Sequence, residues 1–393
     1  MKFGGTSIAD PAKLRGAAER LVAQQAKGDR VVGVLSAMGA TTDELLDLAR
    51  SVCLRPDPRE LDMLISVGER ISCALCAMAI HDLGGEAISL TGAQAGIVTD
   101  GVHGKAKIVD IHGGRIHESL DDGRIVLVAG FQGISPAREL TTLGRGGSDL
   151  TAVALAAALG ARACEIYTDV PGVFTGDPQN VPSARKLHAV SYDEMLEMAS
   201  SGANVLQLRS VELARNHNVK IHVRSAFADT NGTWVVDEDD RMLERAIIAG
   251  VTHTLDETVY RVDGARPTDL FAALARANVN VDTILQSGDE VFFSAPPEDG
   301  VEASEALDRL GARWSARNDL GKVSLIGAGM KSHPGIAAKT FAVLAEAEIE
   351  PVVVSSSPIK ISLHLLRGDV LPAARALHRA FGLEAPDAIR AHE

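Results

Sequence analysis

The stretch Thr141 to Asp149, T-T-L-G-R-G-G-S-D, constrains this chain more than any other. It follows Arg124 to Phe131, R-I-V-L-V-A-G-F, which reads as a buried strand. It leads into an alanine-rich run, Leu150 to Leu159, which reads as a helix. Strand, glycine loop and helix in that order aim unpaired backbone N–H groups and a positive helix end at an anion. Arg145 adds a planar fork suited to a carboxylate or phosphate. Ser148 and Asp149 fall at the helix start, where they cap it or face a ligand. The glycines alone are equally satisfied by a tight turn and an N-cap. An arginine set between them favours a site for a small anionic substrate.

A chain of 393 residues is long enough for two or three domains, and 46% hydrophobic content is enough to bury their cores. Acidic residues outnumber basic ones by 52 to 39, a net charge of -13. That excludes nucleic acid or an anionic membrane as the main partner, while leaving room for a local basic pocket. Of the four cysteines, Cys73 and Cys76 form a C-x-x-C without a second pair or a nearby histidine set. Their helical spacing makes them core thiols, and no protein metal site is expected. No signal peptide and no apolar run long enough to span a bilayer is read, so a cytoplasmic protein is expected.

Met1 to Phe3 reads as the stub of a strand running into Gly4-Gly5-Thr6-Ser7. Asp10-Pro11 reads as an N-cap and first-turn proline opening a helix to Lys27. Arg30–Leu35, Glu86–Leu90, Ile108–Ile111, Ile125–Gly130, Ala163–Asp169 and Lys220–Arg224 read as strands. Glu60–Asp82 reads as one helix, and Ser191–Ala199 and Val205–His217 as two more. Alternating strands and helices define a three-layer α/β domain with a mostly parallel central sheet. Asp237–Asp240 is a short acidic link, and the spans 1–236, 246–320 and 321–393 are expected as domains.

Beyond the link, Ala272–Val281 echoes Ala342–Pro351. Each copy places a helix between strands, so the second half reads as a β-α-β-β-α-β module occurring twice. Such modules need a partner to cover their sheets. Dimerisation through this half is expected.

With these pieces placed, the chain resembles an aspartate kinase: an amino-acid-kinase domain followed by two ferredoxin-like ACT domains. The resemblance rests on K-F-G-G-T-S (Lys2 to Ser7), S-A-M-G-A-T-T-D-E-L-L (Ser36 to Leu46) and E-L-D-M-L-I-S-V-G-E-R-I-S (Glu60 to Ser72). S-L-T-G-A-Q-A-G-I, T-T-L-G-R-G-G-S-D, Y-T-D-V-P-G-V-F-T-G-D-P, V-S-L-I-G-A-G-M-K-S-H-P-G and I-K-I-S follow in order over nearly the whole chain. It implies transfer of the γ-phosphoryl of ATP to the β-carboxylate of L-aspartate. Such a carboxylate, with a reference pKa of about 3.9, is ionised at pH 7 and needs no general base. The reaction needs positioning and charge neutralisation instead.

Carried over residue by residue, the resemblance implies that Lys2 neutralises the phosphates while Gly4 and Gly5 let the backbone approach them. Ser36, Thr42 and Glu69 would line the aspartate pocket, with Glu69 taking the amino group. Arg145 would hold the α-carboxylate, with Ser148 and Asp149 beside it. Thr168, Asp169, Phe174 and Asp177 would surround the nucleotide. Mg²⁺ is implied with ATP, bridged by phosphates and water rather than by a protein cage.

Three departures from the family pattern stand out. Only Met1 precedes Lys2, so the lysine is expected at a fraying end. Asn204 stands where the family has a lysine at the ATP phosphates, so weaker ATP binding or lower turnover is expected. Gln286–Glu290 is short, Ser355–Pro358 replaces S-T-S-E, and Glu350-Pro351 replaces an Asn-Ile pair. Weakened lysine and threonine feedback is the expectation there. A kinase for another amino acid or an aspartate analogue, and a non-catalytic regulatory subunit, remain as alternatives. A dinucleotide-binding dehydrogenase carries little weight, because no G-x-G-x-x-G follows a strand.

Overall fold

The computed structural model describes residues 1–203, 205–237, 248–328, 330, 333 and 335–384. Asn204 and residues 238–240 of the expected acidic link lie outside them. The chain divides into two compact units. The first comprises Met1–Val173, Lys186–Leu196 and Asn204–Asp240; the second comprises Phe174–Arg185, Glu197–Ala203 and Arg241–Glu393.

The first unit opens with β1 (Lys2–Phe3), α1 (Pro11–Ala26), β2 (Val32–Leu35), α2 (Thr41–Val52), α3 (Pro58–Ile65) and α4 (Val67–Asp82). It continues through β3 (Ala87–Leu90), β4 (Ile97–Thr99), β5 (Ile108–Ile111), α5 (Gly114–Asp121), β6 (Ile125–Ala129), β7 (Gln132–Ile134) and β8 (Leu140–Thr142). Then come α6 (Gly147–Ala158), β9 (Cys164–Thr168), β10 (Ala189–Ser191), the start of α7 (Tyr192–Ser200), α8 (Leu208–Asn216), β11 (Ile221–Ser225) and β12 (Thr233–Val236).

Eight strands form the central sheet in the order β10-β12-β11-β9-β1-β2-β6-β3, parallel except between β11 and β12. Alternation sorts its side chains into two faces. Phe3, Leu35, Ile125, Leu127, Ala129 and Tyr167 pack with Leu14 and Leu21 of α1 and with Cys73, Cys76 and Ile80 of α4. The intervening positions, Lys2 among them, face the α6 side, which completes the three layers of a mixed α/β fold. The expected N-cap holds: the Asp10 carboxylate accepts from Lys13 N at 2.9 Å, with Pro11 opening α1.

Three expectations are corrected. Lys2 does not fray, because β1 is hydrogen-bonded between β2 and β9, and Lys2 is 8% exposed. Glu60–Asp82 is two helices, broken at Ser66, whose carbonyl accepts from Gln132 Nε2 at 2.9 Å. Taken across that break, Pro58–Asp82 meets the length and apolarity of a membrane span by composition alone, which the sequence reading did not expect, and half of its apolar window is buried within the protein. A second sheet, in the order β5-β4-β7-β8, was also not foreseen; it consists of three- and four-residue strands too short to leave a period-2 signal.

The second unit contains β13 (Gly250–Asp263), α9 (Pro267–Arg276), β14 (Ile284–Ser287), β15 (Glu290–Ala295), α10 (Gly300–Leu310) and β16 (Arg313–Ile326). α11 (Ile336–Glu346), β17 (Val353–Ser357), β18 (Lys360–Leu366) and α12 (Val370–Ala380) follow. One antiparallel six-stranded sheet, β14-β15-β13-β16-β18-β17, serves both β-α-β-β-α-β patterns. It does so because β13 and β16 are fourteen residues long and pair along almost their whole length, from Gly250↔Ile326 to Asp263↔Arg313. The sequence echo has a structural counterpart. α9 and α11 both end in a left-handed residue, Asn278 (φ 58°) and Glu348 (φ 56°), followed by a buried Val279 or Ile349.

Candidate active site

Four backbone segments meet at the C-terminal edge of β1 and β2. Gly4 and Gly5 turn the chain away from Lys2, and a Cβ on Gly5 would lie 2.8 Å from Ala37 O. This close approach joins the loop after β1 to the loop after β2, with Gly39 N donating to Gly5 O at 3.1 Å. α4 enters equally tightly: a Cβ on Gly68 would lie 2.6 Å from the Ala37 Cβ. The neighbouring Glu69 is thereby held against the backbone, and its Oε1 accepts from Ala37 N at 3.2 Å. The fourth segment is the glycine loop. Gly144 (φ +79°) and Gly146 (φ +70°) take conformations that side chains resist, and α6 starts at Gly147.

Between these segments lies a cavity of about 230 Å³. Its walls include Lys2, Gly5, Ser36, Thr42, Glu69, Arg145, Ser148 and Asp149. Gly4 sits just behind, its N donating to Tyr167 O at 3.2 Å. Phe131, Ala37 and Gly39 also line the space and were missed in the sequence. Phe131 left one signal, its place directly after a buried strand and a glycine; its φ of 69° turns the chain from β6 into β7.

The charges are ordered. Lys2 Nζ lies 2.6 Å from Asp149 Oδ1. Glu69 is 3% exposed, its Oε2 has no hydrogen-bond partner, and burial raises its pKa to about 7 despite the Ala37 N–H. Arg145 is exposed at the rim, with no hydrogen bond or ion pair among the described residues. A buried carboxylate oxygen lacking a donor, a free guanidinium and a lysine therefore share one cavity. They suit a ligand with one ammonium and more than one anionic group.

Thr168 and Asp169 lie at the end of β9, the strand beside β1, and do not line this cavity; Thr168 Oγ1 donates to Asp169 Oδ1 at 3.1 Å. Phe174 and Asp177 belong to the second unit. There Asp177 accepts from Gln179 N at 2.9 Å and Asn180 Nδ2 at 2.6 Å, the turn chemistry of an Asp-Pro segment. Among the described residues no three His, Cys, Asp or Glu side chains gather to hold a metal ion.

Fold and cavity together define a small-molecule-binding α/β domain joined to β-α-β-β-α-β modules. Residues 1–225 match the amino acid kinase family and residues 323–381 an ACT domain. An aspartokinase of Mycolicibacterium smegmatis is 50% identical over 98% of this chain and 96% of its own length. Aspartokinase 2 of Bacillus subtilis is 45% identical over 97% of each. Among solved structures, aspartokinase III of E. coli in complex with aspartate and ADP shares the fold, with a TM-score of 0.86 at 24% identity, covering 96% of this chain and 98% of that one. The chain belongs to the aspartokinases of the amino acid kinase family, enzymes that phosphorylate aspartate.

Proposed function

We propose that the chain transfers the γ-phosphoryl of ATP to the β-carboxylate of L-aspartate, giving 4-phospho-L-aspartate, the first step of aspartate-family amino acid synthesis. The observation that carries this reading is the orphaned Oε2 of buried Glu69 facing a cavity that also holds Lys2 and Arg145. An α-amino group satisfies Glu69, and the α-carboxylate pairs with Arg145. The β-carboxylate is then left toward Lys2, the glycine loop and the start of α6, where phosphate charge is neutralised. Ser36, Thr42 and Ser148 supply hydroxyls around the substrate, and Asp149 orients Lys2. The attacking carboxylate is already ionised, so the protein's contribution is alignment and electrostatics.

Gly4, Gly5, Thr168, Asp169, Phe174 and Asp177 are the residues we assign to the nucleotide. Mg²⁺ would arrive on its phosphates, since the described residues offer no three-ligand cluster. Residues 1–236 carry catalysis, and 246–320 and 321–393 act as paired regulatory modules through which the chain forms a cytoplasmic homodimer. The hairpin between β14 and β15 is closed by only Gly288 and Asp289, which supports weakened lysine and threonine feedback.

The test is hydroxylamine trapping of the acyl phosphate formed from Mg-ATP and L-aspartate, with and without lysine plus threonine. Hydroxamate in both conditions is expected. Its absence with aspartate sinks the kinase reading, and its loss on adding millimolar lysine and threonine sinks the feedback reading.

A further inference from the structure

α3 has no side chain in the cavity, yet it carries a buried carboxylate in an unusual position. Asp62 is 1% exposed and accepts from four donor groups. Its Oδ1 takes Thr142 Oγ1 at 2.5 Å and Gly104 N at 3.2 Å. Its Oδ2 takes His103 Nδ1 at 2.8 Å, Gly104 N at 3.1 Å and Thr142 N at 3.2 Å. Gly104 N, Thr142 N and Thr142 Oγ1 donate to both oxygens, so a carboxylate, which accepts at each, fits this cage and an amide, with one accepting atom, does not.

The two segments it grips are also laced to each other. Ala106 N donates to Thr142 O at 2.9 Å, and Arg209 bridges Leu143 O and Ala106 O at 2.8 and 3.0 Å. One turn earlier on α3, Arg59 pairs with Glu139 at 2.9 Å, so the helix holds β8 at both ends. Thr142 is three residues before Arg145, and Asp62 is seven residues before Glu69.

We infer that Asp62 is a positioning residue that fixes the spacing between Arg145 and Glu69, and so selects a ligand carrying an α-amino and an α-carboxyl group together. The inference rests on the substrate reading given above. Loss of the Asp62 cage frees the Thr142–Arg145 strand end from α3 and leaves Glu69 anchored through Ala37. The Lys2–Asp149 pair is untouched, so nucleotide affinity is retained.

Steady-state kinetics of D62N, T142V, R145A and the D62N/R145A double variant test this in the full-length enzyme. D62N is expected to raise the KM for aspartate about 10- to 100-fold while the KM for Mg-ATP stays within about twofold. T142V, which keeps the carboxylate and removes one donor, gives a smaller shift of the same kind if D62N folds poorly. In the R145A background D62N should add little further, because both changes disable one contact. Equal rises in both KM values, or additive effects in the double variant, overturn the positioning role. An unchanged aspartate KM in R145A overturns the substrate reading itself, and this inference with it. A raised KM in R145A with D62N and T142V unaltered overturns only the role of Asp62.

Discussion

Lys2 Nζ lies 2.6 Å from Asp149 Oδ1, and each side chain is only 11% exposed. The pair joins the central strand of the sheet to the first turn of α6, so a single ion pair ties the glycine loop to the strand it faces. A buried pair of this kind is costly to break, because the surviving charge stays desolvated. It also holds the lysine extended toward the cavity.

Lys2→Met should therefore act on two properties at once. Activity should fall at least about 100-fold through loss of a phosphate-neutralising cation. Stability should fall by about 3 kcal/mol because Asp149 is left unpaired. Adding Asp149→Leu should recover stability without recovering activity. Denaturant unfolding and hydroxamate assays on the three variants check this; a double variant as unstable as Lys2→Met shows that the pair does not carry the stability.

Arg145 provides the contrast. It is exposed and unpaired among the described residues, so Arg145→Ala should change stability by no more than about 0.5 kcal/mol. The KM for aspartate should rise by roughly 100-fold, the scale of a lost charge-assisted bidentate contact. A thermal melt beside a substrate titration reads both.

Glu69 gives a pH signature. Burial raises its pKa from 4.5 to about 7. The neutral form is thus favoured in the folded protein, and its stabilising contribution is fully present below pH 4.5 and lost as pH rises through about 7. Glu69→Gln should melt higher than the parent at pH 8 and no higher at pH 5. An ammonium ligand requires the ionised form, so the KM for aspartate should climb up to about tenfold per unit as pH falls below about 7. That climb should be absent in Glu69→Gln. A flat profile in the parent enzyme means that Glu69 does not meet the amino group.

How much of this was legible beforehand depends on the range of the contacts. The strand–glycine–helix order around Arg145 is local, and its consequences for Ser148 and Asp149 could be read directly. The two-layer burial of Phe3 and Lys2 needed the pairing of β1 between β2 and β9, and the second of these joins Lys2 to Ile166, far along the chain. That pairing overrode the expectation of a fraying end. Asp62 was hidden for the same reason: within E-L-D-M-L it looks like a helix-surface acid, and its donors lie about 40 and 80 residues away in sequence. At the break, the Ser66 carbonyl is taken by Gln132 Nε2, a partner 66 residues away that the local sequence does not announce.

In the second unit, Lys322 is 4% exposed and bonds Glu257 Oε2 at 2.9 Å and Asp282 Oδ2 at 2.5 Å. Burial opposes ionisation of Glu257, yet the His364, Lys322 and Ser294 contacts hold its pKa down at about 2. Its stabilising contribution is present above pH 4.5 and is lost as pH falls through about 2. Lys322→Met should destabilise by roughly 3 to 5 kcal/mol at pH 7, with a smaller penalty at pH 3, where the buried Glu257 of the variant, deprived of its cation, takes up a proton that the parent's Glu257 does not. Urea unfolding at pH 7 and pH 3 measures the difference; equal penalties mean that the lysine acts through packing alone.

The helix ends of the repeat allow a gain rather than a loss. Glu348 holds φ at 56° after α11, on the surface, where a side chain costs roughly 1 kcal/mol relative to glycine. Asn278 occupies the matching place after α9, but asparagine tolerates this region better. Glu348→Gly should therefore stabilise the protein by about 0.5 to 1 kcal/mol, and Asn278→Gly by clearly less. The glycine also loosens the unfolded chain, which offsets part of the gain and sets the upper bound. Paired thermal melts decide it: destabilisation by Glu348→Gly would mean that its side chain makes a contact worth more than the backbone strain it imposes.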